Sequence, residues 1–159
     1  MAIVTYTNTT IKNCKLPFAI YDGVDTWYAF PQAITEASFD DCKLWADGSG
    51  RSMTGESKGT IVGIFPKLTV KISKQKASER AVLTKLLNQT EATVRAYSVE
   101  RQRFEENSFY FGDVSNKIKK WDKGGTLETT RASNGNQGYT CNSTFDSISF
   151  SIIANKRRR

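Results

Sequence analysis

The sequence predicts a mainly β fold, an antiparallel β-sandwich or barrel with one flanking α-helix at about residues 74–88. Strands are indicated by residues 67–72 and 144–153, where apolar and polar side chains alternate as they do in half-buried strands. The helix is indicated by good helix formers and by apolar pairs four residues apart, such as Leu83 with Leu87. A chain of 159 residues is a normal size for one domain.

Runs of β-branched and aromatic residues predict the individual strands. In chain order these lie at residues 2–6, 16–21, within 32–44, and at 60–72, 91–98, 108–112 and 144–153. Within 32–44, the apolar residues Phe39, Cys42 and Leu44 predict one inward face. Within 60–72, Gly63 and Pro66 predict a bulge or a bend.

Capping residues and turn residues predict where the other elements begin and end. Ser73 lies where a helix N-cap belongs, and Asn88 is a suitable helix stop. Residues 134–136, Asn-Gly-Asn, predict a turn within the Thr- and Asn-rich segment 125–146.

The domain organisation is predicted to be one β-rich domain over residues 1–155, with an exposed loop at 47–58, followed by a basic C-terminal tail at 156–159. The loop is rich in Gly and Ser, and its one large apolar residue is Met53, so it cannot bury enough surface to pack on its own domain. Its twelve residues exceed the usual connection of about 4–6, which predicts a functional role.

Histidine is absent, which excludes Ser-His-Asp and Cys-His nucleophiles and the commonest metal ligand. The cysteines Cys14, Cys42 and Cys141 are far apart and odd in number, so neither a zinc site nor a disulfide framework is expected. Asp40 and Asp41 are adjacent on a predicted strand and would face opposite sides. We therefore expect a non-enzyme without catalytic residues, metal or cofactor. Carboxylate-based chemistry such as that of a glycosidase is permitted, but no motif supports it.

The net charge of +7 is partly local to the C-terminus. The basic tail consists of Lys156, Arg157, Arg158 and Arg159, and without it the charge is +3. The aromatic run Phe109–Phe111 resembles a base-stacking platform, which makes a nucleic-acid-binding module the alternative hypothesis. Alternation along a strand favours a half-buried core strand for the same residues.

The N-terminal residues lack a basic region followed by an apolar stretch, so we expect no signal peptide and folding in the cytosol. No apolar run approaches the ~20 residues of a membrane helix, so no membrane association is expected. No small-molecule substrate is predicted either, because no motif for one is present.

The stretch Trp45–Ile72, with its G-R-S-M-T-G-E-S-K-G loop and following basic-apolar strand, resembles small tail proteins of tailed bacteriophages that infect Gram-positive bacteria. Their later elements also have counterparts here: a short helix at 73–88, an F-Y-x-G-D-like element at 109–113 and a closing strand at 147–153. The resemblance implies a tail-tube-like fold and a virion protein of the tail or baseplate. The basic C-terminus and the G-N-Q-G-Y-T-C-N-S-T region depart from that pattern.

The sequence thus leads to the hypothesis of a structural virion subunit, made in the host cytoplasm, that forms a homo-oligomeric ring and binds other phage tail proteins. The loop is predicted to form the subunit interface, with Arg51, Glu56 and Lys58 in polar contacts between subunits. Glycines would give it the required backbone freedom. The remaining predicted interface residues are Asp47, Gly48, Gly50 and Gly55.

Overall fold

The computed structural model describes residues 3–31, 34–45, 50–51, 57–59, 61–131 and 133–156. In chain order, the elements are β1 (Val4–Thr7), a 3-10 turn (Ile11–Asn13), β2 (Phe18–Tyr21), β3 (Thr26–Ala29), β4 (Ile34–Trp45), β5 (Gly50–Arg51), β6 (Ser57–Lys58), β7 (Ile61–Ile72), β8 (Gln75–Lys76), α1 (Ala77–Leu87), β9 (Glu91–Ser98), β10 (Arg103–Tyr110), β11 (Ile118–Lys120), β12 (Thr126–Arg131), β13 (Gln137–Thr140), β14 (Thr144–Phe145) and β15 (Ile148–Ala154). The predicted mainly β fold with one helix is confirmed for this part of the chain.

The main sheet has eight antiparallel strands in the order β1-β3-β2-β9-β10-β15-β7-β4. The sheet curls on itself: the Phe39 ring of edge strand β4 lies 6.3 Å from the Tyr97 ring of β9, although three strands separate β4 from β9 in the sheet order. The two halves of the sheet therefore face each other across a common core, as in a sandwich.

The core lies inside this curl and is closed by α1. Phe18 of β2 contacts Phe30 and Phe150 at ring distances of 6.5 and 6.4 Å. Leu68, Val70 and Ile72 of β7 are buried at every second position, which confirms the predicted alternation of this strand. The predicted apolar stripe on α1 is also confirmed. The helix buries Leu83, Leu86 and Leu87 and half-buries Val82.

The helix begins at Ala77, so the predicted N-cap at Ser73 is wrong. The reason is a long-range pairing: Gln75 and Lys76 form β8, which pairs with Phe145 and Thr144 of β14. With β11 these strands make a small three-stranded sheet, β11-β14-β8. Two residues that look helical in the local sequence are therefore held extended by a strand from the other end of the chain.

Three further details concern the predicted strands and turn. The predicted strand at 144–153 is two strands, β14 and β15, separated by Asp146 and Ser147. The β4–β7 register shifts at Ile34/Glu36 and at Leu44/Trp45. The second shift lies beside Gly63, where a bulge or bend was predicted, and the register is continuous past Pro66. The predicted turn at 134–136 is confirmed between β12 and β13, with Gly135 at a φ of 87°.

Candidate assembly surface

The β4–β7 ladder runs past the rest of the main sheet. β15 pairs with β7 only from Ile72 to Lys67, whereas β4 continues to pair with β7 as far as Trp45 and Ile61. Residues 41–45 and 61–66 therefore form a two-stranded ribbon, which we call the arm. The longer of its two segments, residues 61–66, is about 20 Å long at the usual rise per residue of a strand. Such a ribbon gains little stability by itself, since each strand has one ladder partner.

One face of the arm is apolar. Residues opposite each other in an antiparallel ladder share a face, so the pairs Cys42 with Phe65 and Tyr110 with Ile153 each lie on one side. Ile153 pairs with Lys67, whose side chain points away from the core because its neighbour Leu68 points into it. Phe65 is two residues from Lys67 on the same strand, so both pairs lie on the outer side of the sheet. These residues, together with Leu44, form what we call the outer strip, and they line a shallow depression of about 420 Å³.

Leu44 and Tyr110 of the outer strip and Trp45 at its end are far more exposed than apolar side chains favour, and Cys42, Phe65 and Ile153 are half-buried. Leu44 and Trp45 are 52% and 51% exposed, Tyr110 is 49% exposed, and Ile61 and Val62 at the same end of the ladder are also exposed. The prediction that Cys42 and Leu44 share the inward face of Phe39 is therefore wrong: they lie on the opposite face. Clustered exposure of this kind marks surfaces that bind another macromolecule.

The same outer face is polar away from the arm. There β7 and β15 present the pairs Thr69 with Ser151 and Lys71 with Ser149, and the Thr69 and Ser151 hydroxyls lie 3.1 Å apart in a hydrogen bond. This polar half is what a solvent-facing sheet requires. The apolar character is thus confined to the arm end of the sheet, where no described element of the chain covers it.

The strand β4 is also acidic and lies at the sheet edge. Its described charges are Glu36, Asp40 and Asp41 against Lys43, all exposed. Asp40 faces Lys67 across the ladder and accepts a hydrogen bond from Ser38 Oγ at 3.2 Å. In the described part of the chain, β4 and β1 are the two edge strands of the main sheet, so both have backbone groups available for pairing.

The predicted interface loop lies only partly within the described residues. Gly50 pairs with Lys58 and Arg51 with Ser57, so these positions form the short ribbon β5–β6 and not an unstructured loop. Asp47, Gly48, Gly55 and Glu56 lie outside the described residues, as do the side chains of Arg51 and Lys58. In the basic tail, Lys156 is exposed, and Arg157, Arg158 and Arg159 lie outside the described residues.

The shifted pKa values have structural causes. Burial raises the pKa of the Asp22 carboxyl, but three backbone N–H groups of the following turn donate to it and lower the pKa overall. Burial also raises the pKa of the Glu105 carboxyl, but the Ser98 hydroxyl and the guanidinium groups of Arg101 and Arg103 lower it overall. Burial lowers the pKa of the Arg80 guanidinium. The pKa of the Tyr6 hydroxyl is raised, first by burial and then by its interaction with the neighbouring Cys14 thiol.

Among the described residues, no group of three or more Cys, Asp and Glu side chains is arranged to hold a metal ion. No helix in the same residues is long and apolar enough to cross a bilayer. No protein family model, curated protein or solved structure matches the chain.

Proposed function

We propose that this chain is a structural subunit of a bacteriophage tail or baseplate, and that it assembles with copies of itself and with neighbouring tail proteins through the arm. The observation that carries the proposal is the outer strip on a ribbon that projects past the sheet. The tail or baseplate setting rests on the sequence resemblance of residues 45–72 and the later elements.

A hydrophobic gain drives the association. Fully burying a side chain the size of leucine contributes about 1.5–3 kcal/mol. Leu44 and Trp45 are each about half exposed, so covering the remainder of each contributes roughly half of that, and several such residues together supply much of a subunit contact. Aromatic residues at the centre of an interface are the ones that dominate binding energy. The ribbon presents them on its outer face, while Ile64 on its inner face is buried at 6% exposure.

Two open sheet edges on one subunit favour a ring or a stack. Edge strands β1 and β4 lie at the two ends of the strand order, so a neighbour can meet one edge while another meets the opposite edge. Contacts between unlike surfaces produce rings when the rotation closes and filaments when it does not.

The nucleic-acid alternative has less support from the aromatic run on which it was based. Phe109 is 1% exposed in the core and Phe111 is half-buried, so Tyr110 alone of the three presents its ring to solvent. A stacking site for several successive bases needs more than one accessible ring in that run.

We expect the double variant Leu44→Ser/Trp45→Ser to remain folded and to lose self-assembly. Both side chains contribute apolar area that a partner would cover, and neither belongs to the core. Sedimentation velocity over a range of concentrations measures the effect, and thermal unfolding should change by no more than about 3 °C.

The matched control is Val24→Ser, because Val24 is 76% exposed in the β2–β3 turn, away from the arm. It should assemble as the wild-type chain does. The proposal fails if the wild-type chain stays monomeric at every concentration, or if the arm variant forms particles of wild-type size.

A further inference from the structure

We infer that the chain has a second binding surface, centred on the aromatic residues Trp121 and Tyr139, and that this surface binds a single strand of nucleic acid. We call the two aromatic residues the platform. No residue of the arm belongs to the platform, so this role goes beyond the proposed function and does not depend on it.

The net positive charge of the chain lies at two places in the sequence. The chain carries +7, of which the basic tail supplies +4 and residues 117–142 supply +3, so the remaining residues sum to zero. No ion pair joins the exposed lysines of 117–142 to another described residue. These lysines are Lys117, Lys119, Lys120 and Lys123. The body of the chain is therefore cationic around Trp121, which favours an anionic partner there.

The two acidic residues of 117–142 do not offset this charge on the platform face. Asp122 Oδ1 accepts a hydrogen bond from the Gly124 N–H at 2.8 Å, within its own turn. Leu127 is opposite Tyr139 in the β12–β13 ladder and shares its face, so the next residue, Glu128, points to the other face. The Glu128 carboxyl group occupies the space that a side chain at position 138 would fill.

The platform is fixed before any partner arrives. The Trp121 and Tyr139 rings stack with centroids 5.9 Å apart and an interplanar angle of 26°, and they are 52% and 36% exposed. The Tyr139 hydroxyl donates to the backbone carbonyl of Asp122 at 3.3 Å. The Asp122 N–H in turn donates to the buried Ser143 Oγ at 2.8 Å. Side chains that are already held lose little conformational freedom on binding.

A cationic groove continues from the platform. It has a volume of about 680 Å³, within the usual range of ligand sites, and Tyr139 is one of its lining residues. The charged side chains that line it are Arg80 and Lys85, and the lining contains no carboxylate. Arg80 is buried and bonded within the chain, so Lys85 is the cation that a phosphate can reach. Asn88 and Asn116 add amide groups, which can hydrogen-bond base edges.

A single strand is the polyanion that matches both the charges and the rings. Its unpaired bases can stack on exposed aromatic side chains while its phosphates contact lysines. A duplex keeps its bases stacked inside, and an acidic peptide would match the lysines alone. Lys119, Lys120 and Lys123 are each within two residues of Trp121, about 7 Å of extended chain, so they can reach the phosphates beside a base stacked on its ring.

The stacking role is tested by fluorescence anisotropy with a labelled oligothymidylate of about 12 nucleotides. The wild-type chain should bind it. Trp121→Ala should weaken binding roughly 5- to 150-fold, the usual effect of losing one stacked base. The salt dependence should stay unchanged, because this substitution removes no charge. Trp121→Phe keeps a ring and should bind more tightly than Trp121→Ala.

The charge role is tested by titrating salt against the same oligonucleotide. Lys119→Ala/Lys120→Ala should reduce the slope of log affinity against log salt by about 1.4, since each lost phosphate contact on a single strand contributes about 0.7. The matched control is Lys12→Ala/Lys15→Ala, which removes the same charge from exposed residues at the 3-10 turn that packs on β2 and β3. It should keep the wild-type slope.

The opposite results overturn the inference. Wild-type chain that binds no oligonucleotide, or Trp121 and lysine variants that bind it as wild type does, would show that the platform is not the site. A duplex of the same length that binds as tightly would exclude a single-strand role. Polyglutamate that displaces the oligonucleotide equally from wild type and from Trp121→Ala would indicate an acidic protein partner. None of these results affects assembly through the arm, which sedimentation measures separately.

Discussion

Replacing Phe18 by alanine should lower the free energy of unfolding by about 3–5 kcal/mol, the usual cost of removing a buried ring. Phe18 is 0% exposed and touches Phe30 beside β3 and Phe150 on β15, so it joins the two halves of the curled sheet. The cavity left by the ring cannot close without moving both halves. Thermal unfolding should shift down by roughly 6–20 °C for a chain of this size.

Val24→Ala is the matched control for this change, because Val24 is exposed and its removal leaves no cavity. It should alter the free energy of unfolding by less than about 0.5 kcal/mol. A Phe18→Ala chain that unfolds within 2–3 °C of wild type, on the order of a 1 kcal/mol loss, would show that the two halves do not share one core.

Arg80→Ala should destabilise the chain by about 3 kcal/mol, for a different reason. Arg80 is 2% exposed, and its guanidinium donates to Gln75 Oε1 at 3.0 Å and to the backbone carbonyl of Asp146. It also lies 5.8 Å from the centre of the Phe145 ring. These contacts connect α1 to β8 and to the β14–β15 connection, so the truncation leaves buried acceptors without donors.

Lys85→Ala tests whether the loss is specific to the buried arginine. Lys85 is on the same helix but exposed, and alanine is a good helix former, so its free energy of unfolding should stay near the wild-type value. Arg80→Lys should behave more like Arg80→Ala, because lysine lacks the planar fork that reaches several acceptors at once. If Arg80→Ala unfolds like Lys85→Ala, the small sheet is held by packing alone.

Local patterns predicted the elements whose environment is uniform along their length. The alternation of residues 67–72 and the apolar stripe of α1 face one core throughout, so their periods are legible in the sequence. The start of α1 was predicted wrongly because Gln75 and Lys76 are held extended by a strand about 70 residues away, which no local pattern contains.

The outer strip was missed for two reasons. Cys42 and Leu44 were assigned to the inward face of Phe39, although residues three and five positions along a strand from Phe39 point to the opposite side. Which side of β4 the body covers depends on the pairing of β7 with β15, which is a property of the assembled sheet. Trp121 had a readable signal as the single tryptophan among four lysines at 117–123, whereas its stacking on Tyr139 depends on the tertiary fold.

Imaging of the purified wild-type chain by electron microscopy at subunit resolution tests the central claim most directly. We expect closed rings or stacks of rings in which the outer strip of each subunit, with Trp45 at its end, is covered by a neighbour. A chain that stays a monodisperse monomer at every concentration, or a particle in which the outer strip faces solvent, would contradict it.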